Sequence, residues 1–283
     1  MNKLTVMFKE NWKSITLSYT LFSISSILML IYPKVLGDTI DHLIAKDYGY
    51  IWYMVLTFGL LMFFHYVSRI YDIKVFSGIY RKFASIETNK QFEMGVETTK
   101  INGRLTLMNS VVRFFEFDMI IVLNTLFGVI GSLYFLSLVS LHIVGFLIIS
   151  GIAIVGVSYY YSPKLAELTR LTNDISEEQT EIITSRKIGG INNLLRRSQK
   201  IAIKNSYISS NFNLWLQAIV YGSVTALLTY YVMFSKVTVG SVFSTYRYMF
   251  DFCNALLGLP AILTSYINIK DVIKRLETEN LAD

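Results

Sequence analysis

The chain has 283 residues, of which 53% are hydrophobic and only 16% charged, against about 25% charge in a soluble domain. Its formal net charge of +6 would suit a nucleic-acid partner, but the Lys and Arg residues cluster beside apolar windows, as membrane topology requires. Those windows are about 20 residues long, enough to cross a hydrocarbon core of roughly 30 Å, and the charge-free run 119–139 lacks the period of two that a β-barrel needs.

Residues 1–13 form an amphipathic lead-in, with Leu4, Phe8 and Trp12 four apart, a pattern that lies in the membrane interface. Lys3, Lys9 and Lys13 precede an apolar run with no small-residue cleavage site, which predicts a retained first helix rather than a signal peptide. Span 1 is predicted at 14–35 and span 2 at 51–70, joined by the net acidic stretch 37–50 with Asp38, Asp41, Lys46 and Asp47. A long mixed-charge segment, 71–118, leads to span 3 at 119–139. A tight turn at Ser140, Leu141 and His142 leads to span 4 at 143–161. A second long segment, 162–211, precedes span 5 at 213–234, and the turn 235–240 opens span 6 at 241–263. The main unit is thus 14–276, followed by a cytoplasmic tail at 277–283.

Nearly all the basic residues lie at the N-terminus, in the two long segments and in the tail; the short turns hold only Lys34, Lys46 and Lys236. The positive-inside rule then places both termini and both long segments in the cytoplasm. Between Lys164 and Glu181 the apolar residues Leu165, Leu168, Leu171 and Ile175 recur at helical spacing. Gly95 and Gly189-Gly190 fall near the middles of the two segments. Two helical hairpins projecting inward fit this better than two unstructured loops, which are uncommon at such length. The expectation is an all-α membrane protein with six transmembrane helices and two long cytoplasmic helical extensions.

On the last helix Ser244, Arg247, Asp251, Asn254 and Gly258 recur at steps of three and four, which puts them on one stripe. A charge at membrane depth costs roughly 2.5–3.5 kcal/mol on insertion scales, so the stripe should face protein or a watery cavity. It reads as a wall of a substrate pathway, or as a packing seam holding a neutralised Arg247–Asp251 pair. Gln217, Tyr221, Thr225 and Thr229 make a second polar face on span 5, of a kind that packing alone often explains. Asp251, Glu116, Asp118 and His65 are the candidates for proton coupling; near span 3, Arg113, Glu116 and Asp118 also read as an interfacial charge cluster. No catalytic constellation and no metal site are expected, because His42, His65 and His142 are too dispersed. The single Cys253 forms no intrachain disulfide. The aromatic residues at 159–161 and at 230 and 231 read as an interfacial belt.

Several stretches together resemble the transmembrane domain of type I ABC exporters (the type IV fold). Pro33, Gly37 and Asp41 are similar to the Pro-x-x-x-Gly-x-x-x-Asp end of span 1. Thr238-Val239-Gly240 resembles the Thr-x-Gly that opens span 6, and Pro260 and Arg275 look like its later landmarks. The resemblance covers nearly the whole chain. It implies a domain-swapped homodimer or heterodimer in a cell inner membrane or plasma membrane, with a substrate cavity between the two sets of helices. It also implies coupling helices near 91–97 and 183–191, so that Gln91, Glu93, Gly95, Ile183, Arg186, Lys187, Ile188 and Gly189 would meet an ATPase.

The chain departs from the family's usual half-transporter by stopping at Asp283, about where the linker to an ATPase domain would begin. It has no Gly-Lys dipeptide and hence no phosphate cradle of the Gly-x-x-x-x-Gly-Lys type. The expectation is a non-enzymatic membrane subunit with no cofactor of its own, surrounded by lipid and using ATP through a separate ABC ATPase subunit. The alternatives are a proton-coupled transporter on the same fold and a non-transporting scaffold or immunity protein.

Overall fold

The computed structural model describes residues 9–184 and 188–259, together with 262, 265, 266, 268–270, 272 and 273. Among them there is no strand. The helices are α1 (Trp12–Ile44), α2 (Ile51–Glu93), α3 (Thr98–Arg113), α4 (Met119–Ser137), α5 (Leu141–Thr184), α6 (Ile188–Phe234) and α7 (Val239–Leu257). A 3₁₀ turn, Tyr48–Tyr50, precedes α2, and a π-helical segment, Phe114–Asp118, joins α3 to α4 without a break. Five helices of the described residues are long and apolar enough to cross a membrane. The sixth expected span falls on α7 and on residues beyond it. Leu4 and Phe8 of the lead-in, Pro260, Arg275 and the tail 277–283 lie outside the described residues.

The long segments are helical, as their apolar spacing predicts. With 43, 44 and 47 residues, α2, α5 and α6 each extend about 65–70 Å at roughly 1.5 Å per residue, twice the thickness of a hydrocarbon core. The first hairpin turns in four residues. Gly95, at φ 67°, donates to the Phe92 carbonyl, and Val96 donates to the Gln91 carbonyl at 3.1 Å. This is a Schellman closure, in which the left-handed residue is best a glycine. No separate helix stands at this tip.

Span 1 runs further than expected. α1 continues through Pro33 to Ile44, so the connection to the second span is reduced to a few residues. Membrane helices accommodate proline because neighbouring groups satisfy the freed carbonyls. The helix ends in a second Schellman closure, with Asp47 donating to His42 at 2.8 Å and the left-handed position held by Lys46 at φ 63°.

The helices divide into two compact units, residues 1–139 with 231–283 and residues 140–230. In the first, α1 packs on α2, α4 and α7, α4 packs on α7, and α2 packs on α3. The buried face of α1 consists of Ser18, Ser25, Ser26, Pro33, Gly37 and Thr39, while Leu17, Ile27 and Met29 are exposed. Small residues inside and large apolar ones outside is the arrangement of helices that pack in lipid. At one end an apolar plug of Phe76, Ile79 and Val112, with Tyr19 and Phe115 against it, joins α1, α2 and α3. Ile269 lies in helix and buries with Val111 of α3.

The second unit is an antiparallel hairpin of α5 and α6. Its cross-pairs keep step along the whole length: Phe146 with Tyr230, Tyr161 with Phe212, and Glu178 with Arg197 at 3.0 Å. Ile143, Leu147, Ile154 and Leu168 on α5, and Leu216, Val220, Val224 and Leu227 on α6, are its buried apolar stripes.

Candidate functional site

Thr238 and Ser241 build a capping box at the start of α7: Thr238 Oγ1 accepts from the Ser241 N–H at 3.2 Å, and Ser241 Oγ accepts from the Thr238 N–H at 2.9 Å. Asp41, three residues before the end of α1, completes the cap. Its Oδ1 accepts from the Gly240 N–H at 2.8 Å, and its Oδ2 accepts from Thr238 Oγ1. A carboxylate at a helix N-terminus is favoured both by the free N–H groups and by the helix dipole. The approach is close because Gly37 and Gly240 touch backbone to backbone; a Cβ on either would overlap the other's carbonyl oxygen. The two stretches that the sequence singled out separately thus form one clasp between α1 and α7.

Deeper along α7, Tyr248 donates to the Leu30 carbonyl at 2.9 Å and stacks on Phe135 with centroids 4.7 Å apart. This seam buries Thr245, Met249, Phe252 and Cys253. The opposite side of α7 has a different character. Arg247 Nε donates to Asp251 Oδ2 at 3.1 Å with both side chains partly exposed, Asn254 is exposed, and Tyr246 stacks on Phe250 at 6.0 Å. Arg247, Asp251 and Asn254 therefore share an open face of α7. Ser244 does not: it is buried against Gly37 of α1, because the stripe is wide enough for its edge to turn into the seam. Gln217, Tyr221, Thr225 and Thr229 are all exposed along α6, on the second unit.

A further group of charges gathers where α1, α2 and the π segment meet. Asp72 is buried and accepts from Ser18 Oγ at 2.7 Å, and Arg69 Nη1 lies 3.6 Å from its other oxygen. Tyr19 donates to the Phe115 carbonyl at 2.9 Å, holding the π segment against α1. Such one-turn widenings of a helix are frequent at functional sites. Arg69 and Arg113 both lie over the Phe117 ring, at 4.9 and 5.9 Å, and Glu116 interacts electrostatically with Asp72, Arg69 and Arg113. Of the proton-coupling candidates only Glu116 joins this group. Asp118 is half-buried on the same segment, and His65 is exposed on α2.

Sequence reasoning missed Asp72 and Ser18. The signal for Asp72 was present, an acid three residues after Arg69 just past an apolar run; nothing in the sequence pointed to Ser18 as its partner. Among the residues predicted to meet an ATPase, Gln91 is buried and donates to Glu87 at 2.8 Å. Glu93 and Gly95 are exposed at the hairpin turn. Ile183, Ile188 and Gly189 lie in helix near the second tip, and Arg186 and Lys187 lie outside the described residues.

The family model for an ABC transporter transmembrane region matches residues 4–245. No curated protein matches the chain.

Proposed function

The chain belongs to the ABC transporter transmembrane-region family, and we propose that within it this subunit forms the substrate pathway of an exporter driven by an ATPase docked on its hairpin tips. It is an integral membrane protein, and the matched region is a transmembrane region rather than an ATPase domain. The observation that carries the pathway is the open face of α7, where Arg247, Asp251 and Asn254 lie beside Phe243, Tyr246 and Phe250. A partly exposed ion pair on a membrane helix needs water or another polar surface in front of it. A face of this mixed character suits an amphipathic substrate, with rings for the apolar part and the ion pair for the polar one.

In this proposal α7 continues into a sixth span, both termini are cytoplasmic, and two such subunits pair as a domain-swapped homodimer or heterodimer. The ATPase belongs to a separate chain. The helical continuity of α2, α5 and α6 supports the coupling route, because a displacement at a tip is carried along an unbroken helix into the membrane. Purification from native membranes, with co-purifying proteins identified and ATP hydrolysis assayed, tests it. A stoichiometric ATPase that is lost when residues 183–191 are disrupted supports the proposal; a clean dimer without ATPase sinks it. Transport that survives ATP depletion and collapses with an uncoupler would instead favour proton drive through Asp251, Glu116, Asp118 or His65. Full function after Asp251→Asn and Arg247→Ala would favour a scaffold or immunity role.

A further inference from the structure

Asp72 is 2% exposed, and its two oxygens are in different situations. Oδ1 accepts the Ser18 hydroxyl at 2.7 Å. Oδ2 is shielded from water and has no hydrogen-bond partner, and Arg69 Nη1 stops 3.6 Å short of it, beyond hydrogen-bonding distance. A bare, buried carboxylate oxygen is costly, and such a group calls for an explanation in terms of what it binds. The charged and titratable groups that face the site are Arg69 on the same helix, Tyr19 on α1 and Glu116 on the π segment, with Arg113 beyond Glu116.

We propose that Asp72 is a proton-binding site, whose Oδ2 takes up and releases a proton while Ser18 holds Oδ1. A metal cation does not suit the place, because the Arg69 guanidinium already stands next to the free oxygen. A proton does: it turns the carboxylate into a neutral acid and removes a buried charge that the guanidinium, 3.6 Å from Oδ2, does not hydrogen-bond, without needing further ligands. The proton comes from water and returns to it on the side of the partly exposed Glu116, and no electrons move. Its arrival changes the partner of Arg69. With Oδ2 ionised, the guanidinium is drawn to Asp72; with Oδ2 protonated, it is left to Glu116 and the Phe117 ring. The link between α2 and the π segment thus depends on the proton. This inference rests on the geometry of one unit and holds whether or not the chain transports anything.

Infrared difference spectroscopy of the full chain in lipid nanodiscs tests it directly, with pH stepped between about 8 and about 5, a window above the range in which ordinary exposed carboxylates titrate. The expected result is a protonated-carboxyl band that grows on acidification, disappears in Asp72→Asn and persists in Glu116→Gln. In Ser18→Ala the band should shift, because the oxygen that remains a carbonyl loses its donor. No band in the difference spectrum, a band that survives Asp72→Asn, or one that vanishes in Glu116→Gln overturns the proposal. If Asp72→Asn does not fold, the Ser18→Ala shift decides: an unmoved band belongs to another group and overturns it.

Discussion

Lys46 and Gly95 hold the same left-handed position at the ends of α1 and α2, at φ 63° and 67°. For a residue with a Cβ that conformation costs roughly 1–2 kcal/mol. Lys46→Gly should therefore stabilise the protein by about 1 kcal/mol, after the entropy that glycine loses on folding. Gly95→Ala should destabilise it by a similar amount. Thermal denaturation of both variants in one detergent checks the pair, and opposite signs are required. Open space surrounds Gly95, so its cost would be conformational rather than steric. Gly240 is the reverse case, because a Cβ there meets the Gly37 backbone, which cannot rotate away as a side chain can. Gly240→Ala should cost about 1–3 kcal/mol, in the range of overpacked cores, and the same assay reads it.

The contact between α1 and α7 is where single interactions become a relation between elements. Asp41 satisfies one N–H and one hydroxyl at the start of α7, and bonds to a charged acceptor contribute about 1.5–3 kcal/mol each. Asp41→Asn keeps the size of the side chain but loses the charge that the helix N-terminus favours. It should loosen the N-terminal end of α7 while leaving the Tyr248 seam in place. Hydrogen exchange checks this: amides at 239–243 should exchange faster in the variant, and those around Tyr248 should not. Equal protection in both regions would show that the clasp contributes little beyond close packing. Between α2 and α3 the tip is held differently, by Gln91 bonded to Glu87 and by Arg104 at 3.8 Å from Glu87, so this hairpin end is a polar, ordered turn.

For the whole molecule, the prediction concerns the open face of α7. Arg247→Ala removes the partner of Asp251 and leaves a partly buried carboxylate without its counter-charge, whereas the double variant with Asp251→Asn removes both charges. If the pair serves only to neutralise itself, the double variant should restore stability and any activity. If the face receives substrate, stability should return while transport by the reconstituted protein stays at least 10-fold down, an effect of about 1.4 kcal/mol. Measuring denaturation and transport on the same preparations separates the two.

Composition and periodicity were enough for the membrane class, for the positions of the apolar windows and for the helical hairpins, because burial in lipid and the 3.6-residue repeat act on each segment by itself. The resemblance carried by Pro33, Gly37, Asp41, Thr238 and Gly240 was legible in the same way and agrees with the family match over residues 4–245. Ends of elements were less legible. Span 1 was expected to end at residue 35, yet the helix runs through Pro33 and on to Ile44, because packing outweighs one lost backbone bond. What only the tertiary structure decided is which distant residues meet. Asp41 lies 199 positions from Gly240, and Ser18 lies 54 from Asp72. Ser244 belongs to the seam and not to the open face, because that depends on where α1 lies beside α7. A sequence states what each helix can bury; the neighbours it is given determine what it does bury.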